Sequence, residues 1–138
     1  MKMSALYVED SEVQAELITR LLTCAEECFL GGLQFTVLGT LAEAKSALTP
    51  GRFDVLLLDL SLPDSSAEAT TKWLAESNKA TLPPIIVVTN DIAPETSTSV
   101  VALGAENCID KPMLTLAPAL AMKMIWQAIL RRKRDQSC

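Results

Sequence analysis

The stretch DVLLLDL, residues 54–60, decides the fold: an unbroken apolar run from Val55 to Leu58 stands between two aspartates. A strand with one wet face alternates apolar and polar residues. A continuous apolar run of this length suits a strand covered on both faces, as in parallel sheets. Working outward, short runs rich in branched residues recur at 3–8, 33–38, 53–58, 85–89 and 106–109, giving five predicted strands. Between them lie segments with helical spacing: Val13, Leu17, Leu21 and Leu22; Leu41, Ala44 and Leu48; then 67–78, 94–103 and 115–132. Ser11 with Gln14, and Thr40 with Glu43, have capping-box spacing, while Gly31-Gly32, Pro50-Gly51 and Gly104 punctuate the exits. Alternation of strand and helix predicts an α/β domain, a doubly wound five-stranded parallel sheet with five helices.

The chain has 138 residues, 49% of them hydrophobic, which suits one domain with a real core. That domain is expected over residues 1–132, with 133–138 a C-terminal tail or linker start. No apolar stretch approaches the roughly 18 to 20 residues of a membrane span, and MKMSALYVED lacks a signal peptide's apolar region, so the expectation is a soluble, cytoplasmic protein. A net charge of -5 opposes direct nucleic-acid binding. RRKR at 131–134 is a local exception, read as a soluble terminus whose charge complements the helix dipole. With no histidine, a zinc site would need Cys24, Cys28, Cys108 and Cys138 together. Cys24 and Cys28, four apart, read instead as small buried apolar residues with reduced thiols. The lack of histidine also removes Ser-His and Cys-His nucleophile pairs, leaving carboxylates as the reactive groups.

Charges close the predicted strands. Glu9-Asp10 follow LYV, Asp59 ends DVLLL, and Lys111 comes just after ENCI. In a doubly wound sheet the ligand site lies beyond the carboxyl ends of the strands, where their order reverses. Glu9, Asp10, Asp59, Thr89 and Lys111 are therefore expected in one pocket. Carboxylates crowded there repel one another and are relieved by protonation or a cation. Oxygen ligands with few protein anchors suit Mg²⁺. Protonated Lys111 cannot be a ligand and pairs with an anion. A carboxylate, a metal and an ammonium around an open volume fit a phosphoryl group.

Taken together, VED, VLLLDLSLPD, VVTN and GAENCIDKP resemble the receiver domain of two-component response regulators over about residues 3–130. The resemblance implies a flavodoxin-like sheet of order 2-1-3-4-5 and a phosphorylatable aspartate at Asp59. It implies Mg²⁺ bound by Asp10, Asp59 and the Ser61 main-chain carbonyl, with Glu9 acting mainly through water. Thr89 and Lys111 match the groups that contact phosphate oxygens, and Lys111-Pro112 matches a cis peptide. The partner implied is a histidine kinase or histidine phosphotransfer protein that supplies the phosphoryl group. Such a module is a phosphoacceptor that assists its own phosphoryl transfer and dephosphorylation, not an enzyme in the ordinary sense.

The sequence also departs from that pattern. Cys108 occupies the position where receivers carry a switching aromatic residue, Asn90 stands where a small residue is common, and Ala67 replaces a glycine. Activation is expected to use another readout. The serines and threonines of PETSTSV, 94–100, are modest helix formers, and either a movable or a merely solvated fourth helix explains them. ALAMKMIWQAIL is apolar around most of a helix, so the surface from the fourth to the fifth helix is either ordinary core or a homodimer or partner interface. Pro118 fits only a first turn, which places that helix's cap near Thr115.

Two further readings stand beside the phospho-accepting one. A pseudo-receiver would use the fold as a phosphorylation-independent binding surface. A metal-dependent phosphohydrolase is disfavoured because Ser61 stands where such enzymes need a second aspartate, and no G-x-G-x-x-G supports a dinucleotide site. Ending after the fifth predicted helix, the chain is expected to carry no output domain, as a stand-alone receiver or one excised from a larger protein.

Overall fold

The computed structural model describes residues 2–25, 32–90 and 94–137. Cys28, Gly31 and Cys138 lie outside them. Five parallel strands, β1 (Lys2–Val8), β2 (Gly32–Leu38), β3 (Val55–Asp59), β4 (Ile85–Thr89) and β5 (Asn107–Asp110), form one sheet in the order β2-β1-β3-β4-β5. The helices are α1 (Glu12–Ala25), α2 (Leu41–Ala47), α3 (Ala67–Glu76), α4 (Pro94–Ala102), α5 (Lys111–Leu116) and α6 (Pro118–Ser137).

Side-chain alternation along the buried strands sorts two cores. Ala5, Tyr7, Val55, Leu57, Ile86, Val88 and Ile109 face α1, α5 and α6, while Leu6, Val8, Leu56, Leu58, Ile85 and Val87 face α2, α3 and α4. Burial of each large apolar side chain contributes about 1.5 to 3 kcal/mol, so DVLLLDL stabilises both layers at once. Because β1 lies between β2 and β3, the chain reverses direction across the sheet there. Their carboxyl ends therefore open a crevice, and it is where β1 delivers Glu9 and Asp10 and β3 delivers Asp59.

The first helix buries Leu22 as expected but turns Val13 and Leu17 outward in favour of Ala15 and Ile18. Cys24, two residues beyond Leu22 and thus on the opposite side of the helix, is exposed as well.

The expected fifth helix is two. Asp110 caps α5 by accepting from Met113 N at 2.9 Å, and Pro112 sits in that helix's first turn. No peptide bond among the described residues is cis, so Lys111-Pro112 is trans, contrary to the expectation: a trans proline is what a helical first turn accepts. Pro118 then excludes helical geometry at Ala117, which breaks the helix, and itself begins α6. The expected cap near Thr115 is displaced accordingly.

Most of ALAMKMIWQAIL is ordinary core. Ala121, Met122, Ile125, Trp126, Ala128 and Ile129 are buried against the sheet, leaving Leu120 and Leu130 exposed. The basic run is not a loose tail, because α6 continues through Ser137. Arg131 reaches Glu106 before β5 at 3.5 Å, Arg132 donates to Leu82 O before β4 at 2.6 Å, and Lys133 lies 3.5 Å from Asp54 before β3. Three successive cations thus fasten α6 along the amino end of the sheet. The two ion pairs, both partly open to solvent, each contribute modestly, on the order of 0.2 to 1 kcal/mol.

Candidate functional site

Strand ends bring four of the expected residues together. Lys111 Nζ lies 2.8 Å from Asp59 Oδ2 and 2.9 Å from Glu9 Oε1. Glu9 and Asp59 are each only 2% exposed. Asp10 is exposed at the rim, yet one oxygen from each of Glu9, Asp10 and Asp59 falls within a mutual span of 4.8 Å. Thr89 is buried at the end of β4, one strand away from Asp59, and lines a neighbouring cleft of about 430 Å³ with Ser61, Asn90 and α4 residues.

Electrostatics follow from this crowding. Burial pushes the Glu9 carboxyl up to about 7, and the adjacent Asp59 adds to the rise while Lys111 opposes it. Burial alone would lower the Lys111 ammonium; its bonds to Asp59 and Glu9 outweigh that and raise it. Glu9 Oε2 is buried and has no hydrogen-bond partner among the described residues. With all three carboxylates ionised, one ammonium leaves an excess of two negative charges, which one divalent cation would cancel. An all-oxygen donor set with an orphaned buried oxygen fits a hard metal such as Mg²⁺.

Sequence reasoning named Ser61 for its carbonyl alone and missed the site roles of Gln14 and Tyr7. Ser61 N donates to Asp59 Oδ1 at 3.0 Å, so the loop after β3 grips the carboxylate that Lys111 grips from the other side. Gln14 Oε1 accepts from Lys111 at 3.2 Å, which turns that side chain away from its capping role, although Gln14 N still donates to Ser11 Oγ at 3.3 Å. Gln14's offset from Ser11 was visible in the sequence but pointed to the cap alone. Tyr7, two residues before Glu9, has a buried hydroxyl with no partner among the described residues, and burial followed by the charges of Glu9 and Asp59 raises its ionisation far above the ordinary range.

Among the other site expectations, Cys108 pairs in register with Val87 and packs beneath α4, where it is partly buried. Asp64, in the loop after β3, accepts from Leu41 N and Ala42 N at 2.9 Å each, and these bonds hold its carboxyl below the usual range.

With this geometry in place, comparison with known proteins is decisive for the family. Residues 5–119 match the response regulator receiver domain, and the chain belongs to that family. Its members are in general phosphoacceptors rather than enzymes of the ordinary kind, and they bind Mg²⁺ at an acidic pocket. The chain is 34% identical over 110 residues to a probable transcriptional regulatory protein, y4xI, of Sinorhizobium fredii, covering 78% of this chain and 45% of that protein; it therefore spans under half of that relative's length. The receiver domain of a putative LuxO repressor protein from Vibrio parahaemolyticus superposes with a TM-score of 0.78 at 20% identity, covering 99% of this chain and 96% of that one. A CheY-like receiver domain protein from Methanospirillum hungatei superposes with a TM-score of 0.75 at 20% identity, covering 98% and 99%. These two likenesses establish the fold. No helix among the described residues is long and apolar enough to cross a membrane.

Proposed function

We propose that the domain accepts a phosphoryl group on Asp59 from a phosphohistidine of a histidine kinase or phosphotransfer protein. The observation that carries this reading is the placement of the Asp59 carboxylate. It is buried, fixed at one oxygen by Lys111 and at the other by Ser61 N–H, and flanked by Glu9 and Asp10 at the switch point of the sheet. In the transfer, a carboxylate oxygen of Asp59 attacks phosphorus, the phosphorus–nitrogen bond of the donor breaks, and its electron pair returns to the partner's imidazole. Asp10, Asp59 and the Ser61 carbonyl would hold Mg²⁺, with Glu9 reached through water. When bound, the metal neutralises charge on the phosphoryl oxygens. Lys111 then shifts part of its hold from the carboxylate to the phosphoryl oxygens, and Thr89 supplies a hydroxyl from β4.

The donor's approach is supported by α1. Val13 is 78% and Leu17 50% exposed, and Leu17 shares a groove with Gln14, Lys111 and Thr115. An apolar helix face on the partner docked there would set its histidine close to Asp59. Phosphorylation adds close to two negative charges and is read out as a change of surface.

A second reading, phosphorylation-independent binding, is favoured by one observation: Cys108, packed under α4, offers no aromatic ring to swing. Incubation with Mg²⁺ and acetyl phosphate, followed by intact-mass measurement, separates the two. Wild type is expected to gain one phosphoryl group and Asp59→Asn none, with the far-ultraviolet circular dichroism of the two superimposable. Acceptance by Asp59→Asn would sink the assignment, and failure of wild type to respond would favour the second reading.

A further inference from the structure

We propose that Asp64 is a positioning residue for Asp59: by gripping α2 it sets the loop whose Ser61 N–H holds the acceptor carboxylate. The inference rests on the phosphoacceptor reading above and adds to it a residue that touches neither phosphate nor metal.

The loop from Leu60 to Ser66 is braced from within and at both ends. Leu60 and Leu62 are buried in the same cluster as Leu41 and Ala44 of α2. Leu62 and Ser65 exchange backbone hydrogen bonds of 3.2 and 3.3 Å, closing the turn over Pro63-Asp64. The buried Ser65 hydroxyl lies 2.8 Å from Thr70 Oγ1, and Ser66 caps α3 by accepting from Ala69 N at 3.1 Å. One end of this loop therefore belongs to α3, and its start touches Asp59 through Ser61 N at 3.0 Å.

Asp64 ties the same loop to α2. Its two carboxylate oxygens each take one amide, Leu41 N and Ala42 N, at 2.9 Å. Charge-assisted pairs of this kind fix direction as well as distance. α2 already has its own cap: Thr40 accepts from Glu43 N at 3.1 Å and donates to Glu43 Oε1 at 2.9 Å. The amides that Asp64 serves are different ones, and the loop carrying it lies 23 residues further along the chain. A cap alone would not need to come from the loop that holds the acceptor. Sites of this kind lose function when their supporting contacts let them drift by about 0.5 Å.

Thr40 makes the proposal testable, because it caps the same helix through hydrogen bonds to Glu43 within α2. Association of beryllofluoride with Mg²⁺ is measured by fluorine NMR for wild type, Asp59→Asn, Asp64→Ala, Asp64→Asn and Thr40→Ala. Asp64→Ala is expected to weaken association about tenfold, the scale typical of supporting residues around metal ligands. Asp64→Asn, whose amide oxygen keeps one acceptor, should fall between, and Thr40→Ala should stay within about twofold of wild type. In wild type, occupancy of the site should in return slow hydrogen exchange at Leu41 and Ala42 several-fold, since linkage is reciprocal. Wild-type association with Asp64→Ala unchanged, or Thr40→Ala falling as far as Asp64→Ala, overturns the strap while leaving the phosphoacceptor reading standing. A wild type that responds no better than Asp59→Asn overturns that reading and the strap with it.

Discussion

Lys111 and Asp59 meet at 2.8 Å although they close different strands, β5 and β3, that are not neighbours in the sheet. Their contact spans the end of β4, and the same ammonium also reaches Glu9 just after β1. One cation thus holds together acids delivered by two strands.

Removing that cation should be costly. In Lys111→Met, Glu9 and Asp59 remain buried without their counter-charge, a situation that costs about 3 to 5 kcal/mol. Urea denaturation in a chelator-treated buffer is expected to show that loss, with Mg²⁺ recovering part of it. A midpoint equal to wild type would show that the ammonium does not stabilise the acids.

Acidity should have a sign opposite to the common one for carboxylates. Glu9 sits near its ordinary 4.5 in the unfolded chain and is raised to about 7 in the folded one. Between those values the native state holds the extra proton. Its stabilisation is complete below pH 4.5 and is lost as pH rises through 7. Without divalent cation, stability should therefore fall from pH 5 to 8 by an amount on the order of 3 kcal/mol. Glu9→Gln should flatten that slope; an unchanged slope would assign it to another group.

Asp10 is the exposed member of the acidic trio, so its substitution disturbs the core least. Calorimetric titration of Asp10→Asn is expected to show Mg²⁺ affinity weakened by at least about tenfold with the thermal midpoint of the metal-free protein kept or raised, since one repelling charge is gone. An affinity equal to wild type would remove Asp10 from the metal site.

Strand ends were legible in the sequence because a polar residue stopped each apolar run abruptly: LYVED and VLLLD end in charge and IIVVT in a hydroxyl, each reading as a buried strand followed by a candidate site residue. The face of α1 was not. Val13 and Leu17 have the same four-residue spacing as Ile18 and Leu22, and only the packing of α1 against α5 and α6 chooses between the two series. Lys111-Pro112 was misread for a local reason. The dipeptide accepts either isomer, and the deciding partner is Asp110, whose cap on Met113 N draws the proline into a helix. Asp64 left no mark at all in the local pattern, because its donors lie on another element. RRKR looked like a tail since its acceptors, Glu106, Leu82 O and Asp54, belong to three separate loops.

Those basic residues also set a distance. Arg131, Arg132 and Lys133 moor the last helix at the pole where β3, β4 and β5 begin, whereas Asp59, Thr89 and Lys111 gather where the strands finish. A five-residue strand is roughly 17 Å long. Under the proposed phosphorylation of Asp59, a message would travel that length of close-packed interior before α6's far turns feel it, whereas the tips of α1, α2 and α4 stand beside its source.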